Sequence, residues 1–384
     1  MRSFQGQPVG IEEPTLVRVS TNGDYSAARE QGVWKVSKIH RDRGLSSGML
    51  QEGGSDSTVY FDLQGSNALF RHGDVLLLEP SGRCTVLYES STEDNALLIT
   101  ERCNNRCLMC SQPPKLSDNG HVAMSRRILE LIENPPTSLC LTGGEPTLVW
   151  DDLIGLLRTC RERFPATSIQ ILTNGRQLRD FDSSSQLVEA GGDALYLSIP
   201  LYSDVAEIHD EIVGMPGAFW ETLEGIYNLA RLKAFVELRI VVIRQNHERL
   251  PQWAEFIYRS LPFVGHVAIM GLEPIGMAAA NIGRVWIDPL EYRDQLLRTM
   301  RSFQRCGMEA SIFNHQLCVL PRNLWPYCSK SISPWKRIYL PGCADCAERE
   351  SCGGFFHSAM KYHSQGILPI PTEQICLMGG TNHG

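Results

Sequence analysis

Between about residues 95 and 305 the chain alternates short apolar runs with longer segments of helical spacing, and this restricts the fold more than any other feature. Runs at 97–100, 138–142, 169–173, 194–200, 236–243 and 264–271 have the length and composition of strands. Segments at 124–134, 153–164, 219–231, 253–259 and 290–305 space their apolar residues as a helix does. Strands joined through helices need crossover connections. The sequence therefore predicts an α/β fold with a parallel sheet, either open or curled into a barrel. Sheets of this kind build their sites at the carboxyl ends of the strands.

The flanks differ in texture. Residues 1–92 read as a small β-rich region, with strands expected at 58–61, 68–71, 75–79 and 85–88 and a flexible loop at 45–57. After about residue 306 the alternation stops, and 313–356 holds five cysteines and several prolines. A segment with so little apolar core can be organised by metal instead. The expected layout is a β-rich region at 1–92, the alternating domain at 93–306, a cysteine-rich domain at 307–370, and a poorly ordered tail at 371–384 that contains Cys376.

A formal charge of -7 gives no electrostatic reason to expect a nucleic-acid surface, although a local basic patch is compatible with it. No apolar stretch approaches the roughly 18–20 residues that a bilayer requires. The polar first residues lack the apolar centre of a secretory signal, so the expected location is cytoplasmic. Thirteen cysteines in that compartment point to metal binding or catalysis rather than disulfides.

Cys103, Cys107 and Cys110 form C-x3-C-x2-C directly after the first apolar run. Three thiolates on one loop can hold three irons of a cubane and leave the fourth open to a chelating substrate. Zinc, the main alternative, normally takes four ligands with closer pairing. Asn104, Asn105 and Arg106 make the loop polar, which disfavours a packing role. Further on, Leu141-Thr142-Gly143-Gly144-Glu145-Pro146 ends the second run. The two motifs in this order resemble the radical S-adenosylmethionine superfamily. That resemblance implies a partial (β/α)6 barrel over roughly 95–305, a [4Fe-4S] cluster on Cys103, Cys107 and Cys110, and S-adenosyl-L-methionine as cofactor. Gly143, Gly144, Glu145 and Pro146 would then bind the amino group of its methionine moiety, since glycines let backbone carbonyls approach an ammonium.

Other positions agree with the family pattern. Thr173-Asn174-Gly175 resembles its T-N-G step, although T-N-G is also a good turn in its own right. Ser198 matches a position that contacts the cofactor's ribose or carboxylate. Val242 and Ile243 match residues near the adenine, although apolar strand residues are usually core. His209-Asp210, Gly214 and Gly217-Ala218-Phe219 resemble a segment of peptide-modifying members.

Cys343, Cys346 and Cys352 make C-x2-C-x5-C, preceded by Cys318 near an expected hairpin and by Cys328. With either upstream cysteine as fourth ligand they would form a closed site. The spacing resembles the auxiliary-cluster domain of peptide-modifying radical enzymes and implies one auxiliary [4Fe-4S] cluster, with structural zinc as the alternative. Cys140, Cys160 and Cys306 fall in apolar or helical patterns and read as core residues.

Phe313-Asn314-His315-Gln316-Leu317-Cys318, Leu324-Trp325-Pro326, Lys330-Ser331-Ile332-Ser333 and Cys352-Gly353-Gly354-Phe355-Phe356 resemble the C-type maturase of the His-Xaa-Ser repeat peptide system. The resemblance implies an enzyme that cleaves the cofactor to a 5'-deoxyadenosyl radical and modifies a small ribosomally made peptide. Its implied partners are that peptide, a sister radical maturase, and a reductant of the flavodoxin or ferredoxin type. Alternatives are an anaerobic maturase oxidising a residue of a folded protein, a radical enzyme acting on RNA or a small molecule, and a metal-stabilised scaffold. Tyr202, His209, His315 and Cys328 are the candidates for a base or radical-quenching donor.

Overall fold

The computed structural model describes residues 3–5, 7–9, 11, 13–20, 33–42, 45–52, 59–62, 70–117, 120–330 and 338–372. The chain forms two compact units, one of residues 1–100, 118–142 and 149–170, the other of residues 101–117, 143–148 and 171–384.

The first unit contains a mostly antiparallel sheet built from β1 (Ser3–Gln5), β2 (Gln7–Val9), β3 (Thr15–Ser20), β4 (Val33–Asp42), β5 (Leu45–Glu52), β6 (Val59–Asp62), β7 (Val75–Leu78) and β8 (Arg83–Tyr88). Their order is β1-β8-β7-β3-β5-β4-β6-β2. Val17 pairs with Leu76, which pairs with Val86, and this row lies in a buried apolar cluster with Val19, Leu78 and Cys84. Period-two alternation put all of these on one face.

Two expectations for this region need correction. Residues 45–52 are a strand, paired parallel with β3 and antiparallel with β4, rather than a loop. Ser46, Ser47 and Gly48 weaken its apolar alternation, which hid it; residues 53–57 lie outside the described residues. Phe70 and Arg71 are not in a strand, and residues 68 and 69 lie outside the described residues. Instead Asp74 makes a turn there, its carboxylate accepting from the backbone N–H groups of Arg71 (2.8 Å) and Ser90 (2.8 Å).

The larger sheet is parallel and has eight strands: β9 (Asp94–Thr100), β10 (Ser138–Gly143), β11 (Ser168–Leu172), β12 (Leu195–Pro200), β13 (Phe235–Val242), β14 (His266–Gly271), β15 (Ala310–Phe313) and β16 (Cys328–Ser329). They lie in sequence order, the arrangement of a partial barrel. The sheet thus runs two strands beyond the six expected. β15 and β16 are four and two residues long, too short to show alternation against a cysteine- and proline-rich background.

Helices α1 (His121–Leu131), α2 (Trp150–Arg163), α3 (Phe181–Gly191), α4 (Ala206–Val213), α5 (Ala218–Arg231), α6 (Leu250–Ser260), α7 (Met277–Ala280), α8 (Ile282–Val285) and α9 (Pro289–Arg305) accompany these strands. α3 escaped the apolar pattern because a serine run occupies its first turns; Asp180 starts it by accepting from the Ser183 backbone (2.8 Å). α9 opens with a capping box between Asp288 and Glu291 and a proline at its first position. Along β13, Val236, Leu238, Ile240 and Val242 are buried, while Glu237, Arg239 and Val241 lie on the opposite face, partly exposed. No helix among the described residues is long and apolar enough to cross a membrane.

Candidate functional site

The loop after β9 carries Cys103, Cys107 and Cys110 as free, half-buried thiols. Its backbone is gripped from three directions within the second unit. The N–H groups of Arg106 and Leu108 donate to Val213 and Ile212 at the end of α4 (2.8 and 2.9 Å). Glu145 N–H donates to the Arg102 carbonyl (2.8 Å), and Met277 N–H to that of Cys110 (2.8 Å). Asn281 Nδ2 donates to the Leu108 carbonyl (2.8 Å). Three of these approaches demand glycine, the first at Gly214, whose φ is +65° and whose Cβ would stand 2.7 Å from the Arg106 oxygen. A Cβ on Gly144 would stand 2.2 Å from the Arg102 oxygen, and one on Gly276, whose φ is +55°, 2.6 Å from the Cys110 oxygen.

A guanidinium completes the grip. Arg176 Nη1 donates to the Asn104 carbonyl (2.9 Å) and to Asn105 Oδ1 (2.8 Å), while its Nε pairs with Glu221 of α5 (2.6 Å). Asn174 Nδ2 donates to Asn104 Oδ1 (2.6 Å). The segment after β11 therefore clamps the two residues that follow Cys103. Among the described residues no group of three His, Cys, Asp or Glu side chains is arranged around a single metal ion.

Burial is the main influence on the three thiols. It pushes Cys103 up to about 11 and Cys107 to about 12, and raises Cys110. Without a cation they are neutral, and binding iron must release their protons. The donor set, three softly ligating sulfurs on a rigid loop, fits an iron–sulfur cluster with one iron left to another ligand.

Glu145 is fully buried, and its carboxylate accepts four hydrogen bonds. Oε1 takes Thr147 N–H (3.1 Å), Thr147 Oγ1 (2.7 Å) and Thr173 Oγ1 (2.7 Å), while Oε2 takes Asn174 N–H (2.6 Å). Burial raises its pKa and these donors oppose the rise. The side chain ties the end of β10 to the end of β11. Pro146 opens the short helix Pro146–Val149, and Gly143 ends β10.

Ser198 is buried on β12 and donates to Glu237 Oε1 (2.8 Å). Glu237 also takes Arg239 Nε (2.6 Å) and pairs with His266 Nδ1 (2.8 Å), whose Nε2 meets Ser311 Oγ (3.0 Å). Although burial opposes it, this partnering holds the Glu237 carboxyl down to about 2. Ile243 is fully enclosed in an apolar cluster with Met109, Ile212, Ala278 and Val285, against which Cys107 and Tyr202 pack. Val242 is equally buried.

The candidate bases sit differently from one another. His209 Nδ1 accepts from the Tyr202 backbone (3.2 Å), and burial pulls its pKa down to about 4. His315 is buried between the Tyr292 hydroxyl (2.7 Å) and the Phe313 carbonyl (2.8 Å), again near 4 through burial. Both rings are engaged in internal hydrogen bonds. Tyr202 packs beside Cys107, and burial raises its pKa well above the ordinary value.

The second cysteine group belongs to the same unit. Cys318, Cys343, Cys346 and Cys352 line one partly open cavity, together with Tyr339 and Arg349. Cys318 lies on the short helix Leu317–Val319, not near a hairpin. Backbone N–H groups point at the sulfurs: Ile370 to Cys346 (3.4 Å) and Gly354 to Cys352 (3.5 Å). Cys328 is outside this lining, its thiol donating to the Leu324 carbonyl (3.4 Å) and raised to about 12 by burial. Cys160 is fully buried, whereas Cys140 and Cys306 are only half-buried. Ser331, Ile332, Ser333 and Cys376 lie outside the described residues.

Sequence reasoning missed Arg176, Gly276 and Asn281 around the first loop, and the Glu237–Arg239–His266 network; it read Asn104 only as making the loop polar. Arg176 directly follows Thr173-Asn174-Gly175 and was within reach of the motif. Glu237 and Arg239 alternate inside an otherwise apolar strand, which is itself a signal. Gly276 and Asn281 carried none.

Residues 97–257 match the Radical SAM superfamily model. A GTP 3',8-cyclase of Limosilactobacillus fermentum is 30% identical over 49% of this chain and 57% of its own length. The antilisterial bacteriocin subtilosin biosynthesis protein AlbA of Bacillus subtilis is 27% identical over 38% of this chain and 33% of its own. The chain thus spans between 20% and 66% of the length of the curated relatives it matches. The crystal structure of Streptococcus suis SuiB bound to S-adenosylmethionine aligns with 65% of this chain and 56% of its own, at TM-score 0.48 and 13% identity.

Proposed function

We propose that this chain, whose residues 97–257 match the Radical SAM superfamily model, binds a [4Fe-4S] cluster and S-adenosyl-L-methionine and modifies a ribosomally made peptide of the His-Xaa-Ser repeat type. The observation that carries the radical reading is the loop of Cys103, Cys107 and Cys110, held rigid by Arg176, Gly144 and Gly276. When bound, the cluster and cofactor supply a 5'-deoxyadenosyl radical able to take hydrogen from an unactivated carbon.

The protein's own residues position and shield. Cys103, Cys107 and Cys110 hold the cluster. Arg176 and Asn174 keep the loop in one conformation, so little ordering remains to be done on loading. With its side chain committed to Thr147, Thr173 and Asn174, Glu145 acts by fixing the backbone of 143–146, whose carbonyls receive an ammonium. Ser198 and Arg239 present a hydroxyl and a cation on the same face as Glu237, suited to a ribose or a carboxylate.

The peptide reading is supported by the second cysteine cavity and the motifs around it. Cys318, Cys343, Cys346 and Cys352 hold an auxiliary cluster, and Cys328 does not. N–H groups aimed at the sulfurs suit a cluster, whose potential depends on such bonds. The similarity to a bacteriocin biosynthesis protein agrees with a peptide substrate. A reductant protein and a sister maturase are the expected partners.

The test is anaerobic incubation of the reconstituted chain with dithionite and S-adenosylmethionine. Release of 5'-deoxyadenosine by wild type, lost in Cys107→Ala, is the expected result. Equal release from both would refute the assignment of the loop.

A further inference from the structure

Beside the four-cysteine cavity lies a second, partly open one at the carboxyl ends of β14 and β15. We propose that this cavity is the substrate seat, and that it takes an uncharged stretch of peptide with an aromatic or imidazole side chain inserted. The inference rests on the peptide-modifying reading above and deepens it.

The position is the first reason. Gln316 and Phe355 line both cavities, so whatever fills one lies a single layer of residues from the four thiols in the other. Gln316 Nε2 donates to the Gly354 carbonyl (2.8 Å) and forms part of that layer. Parallel sheets place substrates at the carboxyl ends of their strands, where this cavity opens.

The lining is the second reason. Trp286, Tyr292, Phe355, Phe356, Tyr362 and His363 surround it, and among the described residues its wall includes no Lys, Arg, Asp or Glu. A triphosphate or another multiply charged small molecule would enter with no counter-charge, which is prohibitive in a partly desolvated site. Aromatic walls instead favour a flat ring, stacked or edge-on. Phe355 and His363 already meet edge to face, with centroids 5.7 Å apart.

Asn314 supplies the third. It is one of two non-glycine residues with positive φ among those described, at +60°. Asparagine tolerates this left-handed conformation, which here makes the tight turn that leaves β15. Its side-chain amide makes only a long 3.4 Å bond to the Gly271 carbonyl, which leaves capacity for a peptide backbone. Below it, the Tyr292–His315–Phe313 chain is fully internal and gives the wall a rigid base.

The test uses the full, anaerobically reconstituted chain and a synthetic acetylated peptide of three His-Ala-Ser triplets, with the same peptide carrying Glu for His and with GTP as comparators. Binding is followed by calorimetry and by hydrogen exchange. The expected result is protection of residues 286–292 and 354–363 by the His peptide. Its Kd should weaken about tenfold in Tyr362→Ala and in Phe356→Ala, with neither the Glu peptide nor GTP bound comparably. The exposed Trp220→Ala is the control and should bind as wild type. If a pocket variant loses iron, exchange on wild type alone decides. Peptide binding with protection elsewhere, or equal binding of the Glu peptide, overturns the pocket assignment while leaving the peptide reading intact. Binding of GTP with no binding of peptide overturns both.

Discussion

Replacing Gly144 by alanine places a methyl group 2.2 Å from the Arg102 carbonyl oxygen and 2.7 Å from its carbon. Both atoms are backbone, so no side chain can swing aside. Real Cβ contacts keep at least 3.0 Å, and the two segments must part by roughly 0.8 Å. Parting strains or breaks the 2.8 Å bond from Glu145 N–H to that same oxygen, a loss of about 1 kcal/mol. Overpacking adds about 1–3 kcal/mol. The disturbance falls on the residue preceding Cys103, so the geometry of the first cysteine loop changes before the rest of the unit does. We expect Gly144→Ala to fold, to melt several degrees lower, and to lose more than half of the iron at the first site while keeping that at the second. Iron per chain after anaerobic reconstitution, paired with a thermal melt, measures this. Gly283→Ala, with nothing within 4 Å of the new Cβ, is the control. A Gly144→Ala protein with wild-type melting and full iron would refute the close-approach argument.

Removing the Arg176 guanidinium (Arg176→Ala) deletes donors to Asn104 and Asn105 and a largely enclosed partner of Glu221; a loss of about 2–4 kcal/mol in chemical denaturation is expected, and Lys at 176 should recover only part of it. Cys318→Ser should lose the second-site iron and Cys328→Ser should retain it; the reverse pattern would exchange their roles. His209 and His315 are held neutral, with folded values near 4 against an ordinary 6.5. Their contribution is whole above pH 6.5 and is lost as pH falls toward 4, at most about 3 kcal/mol each. Melting temperature should therefore drop steeply across that window, and His209→Asn, which keeps an acceptor for the Tyr202 N–H, should flatten part of the fall. A pH-independent melt between 6.5 and 4 would contradict this.

Periodicity carried the larger sheet because its strands are long enough to alternate: β13 buries Val236, Leu238, Ile240 and Val242 in strict succession. The same criterion failed where elements are short or polar. β15 and β16 span too few residues to show a period, and β5 interrupts its own pattern with Ser46, Ser47 and Gly48. Spacing made the cysteines legible, since sulfurs that share a loop announce themselves in any order of reading. Choosing between Cys318 and Cys328 needed the chain folded, because it depends on which thiol faces the cavity that Cys343, Cys346 and Cys352 share. The supports of the first loop were the least legible. Asn281 lies 173 positions from the Leu108 carbonyl it holds, and nothing local to Gly276 reveals that Cys110 rests on it.

Iron and acid-labile sulfide per chain, after anaerobic reconstitution, bear most directly on the central claim of two clusters on two sets of cysteines. The comparison is between wild type and a Cys103/Cys107/Cys110 triple alanine variant. The account predicts about eight irons in the former and about four in the latter. About four irons in wild type and almost none in the variant would contradict the auxiliary cluster and remove its support for a peptide substrate.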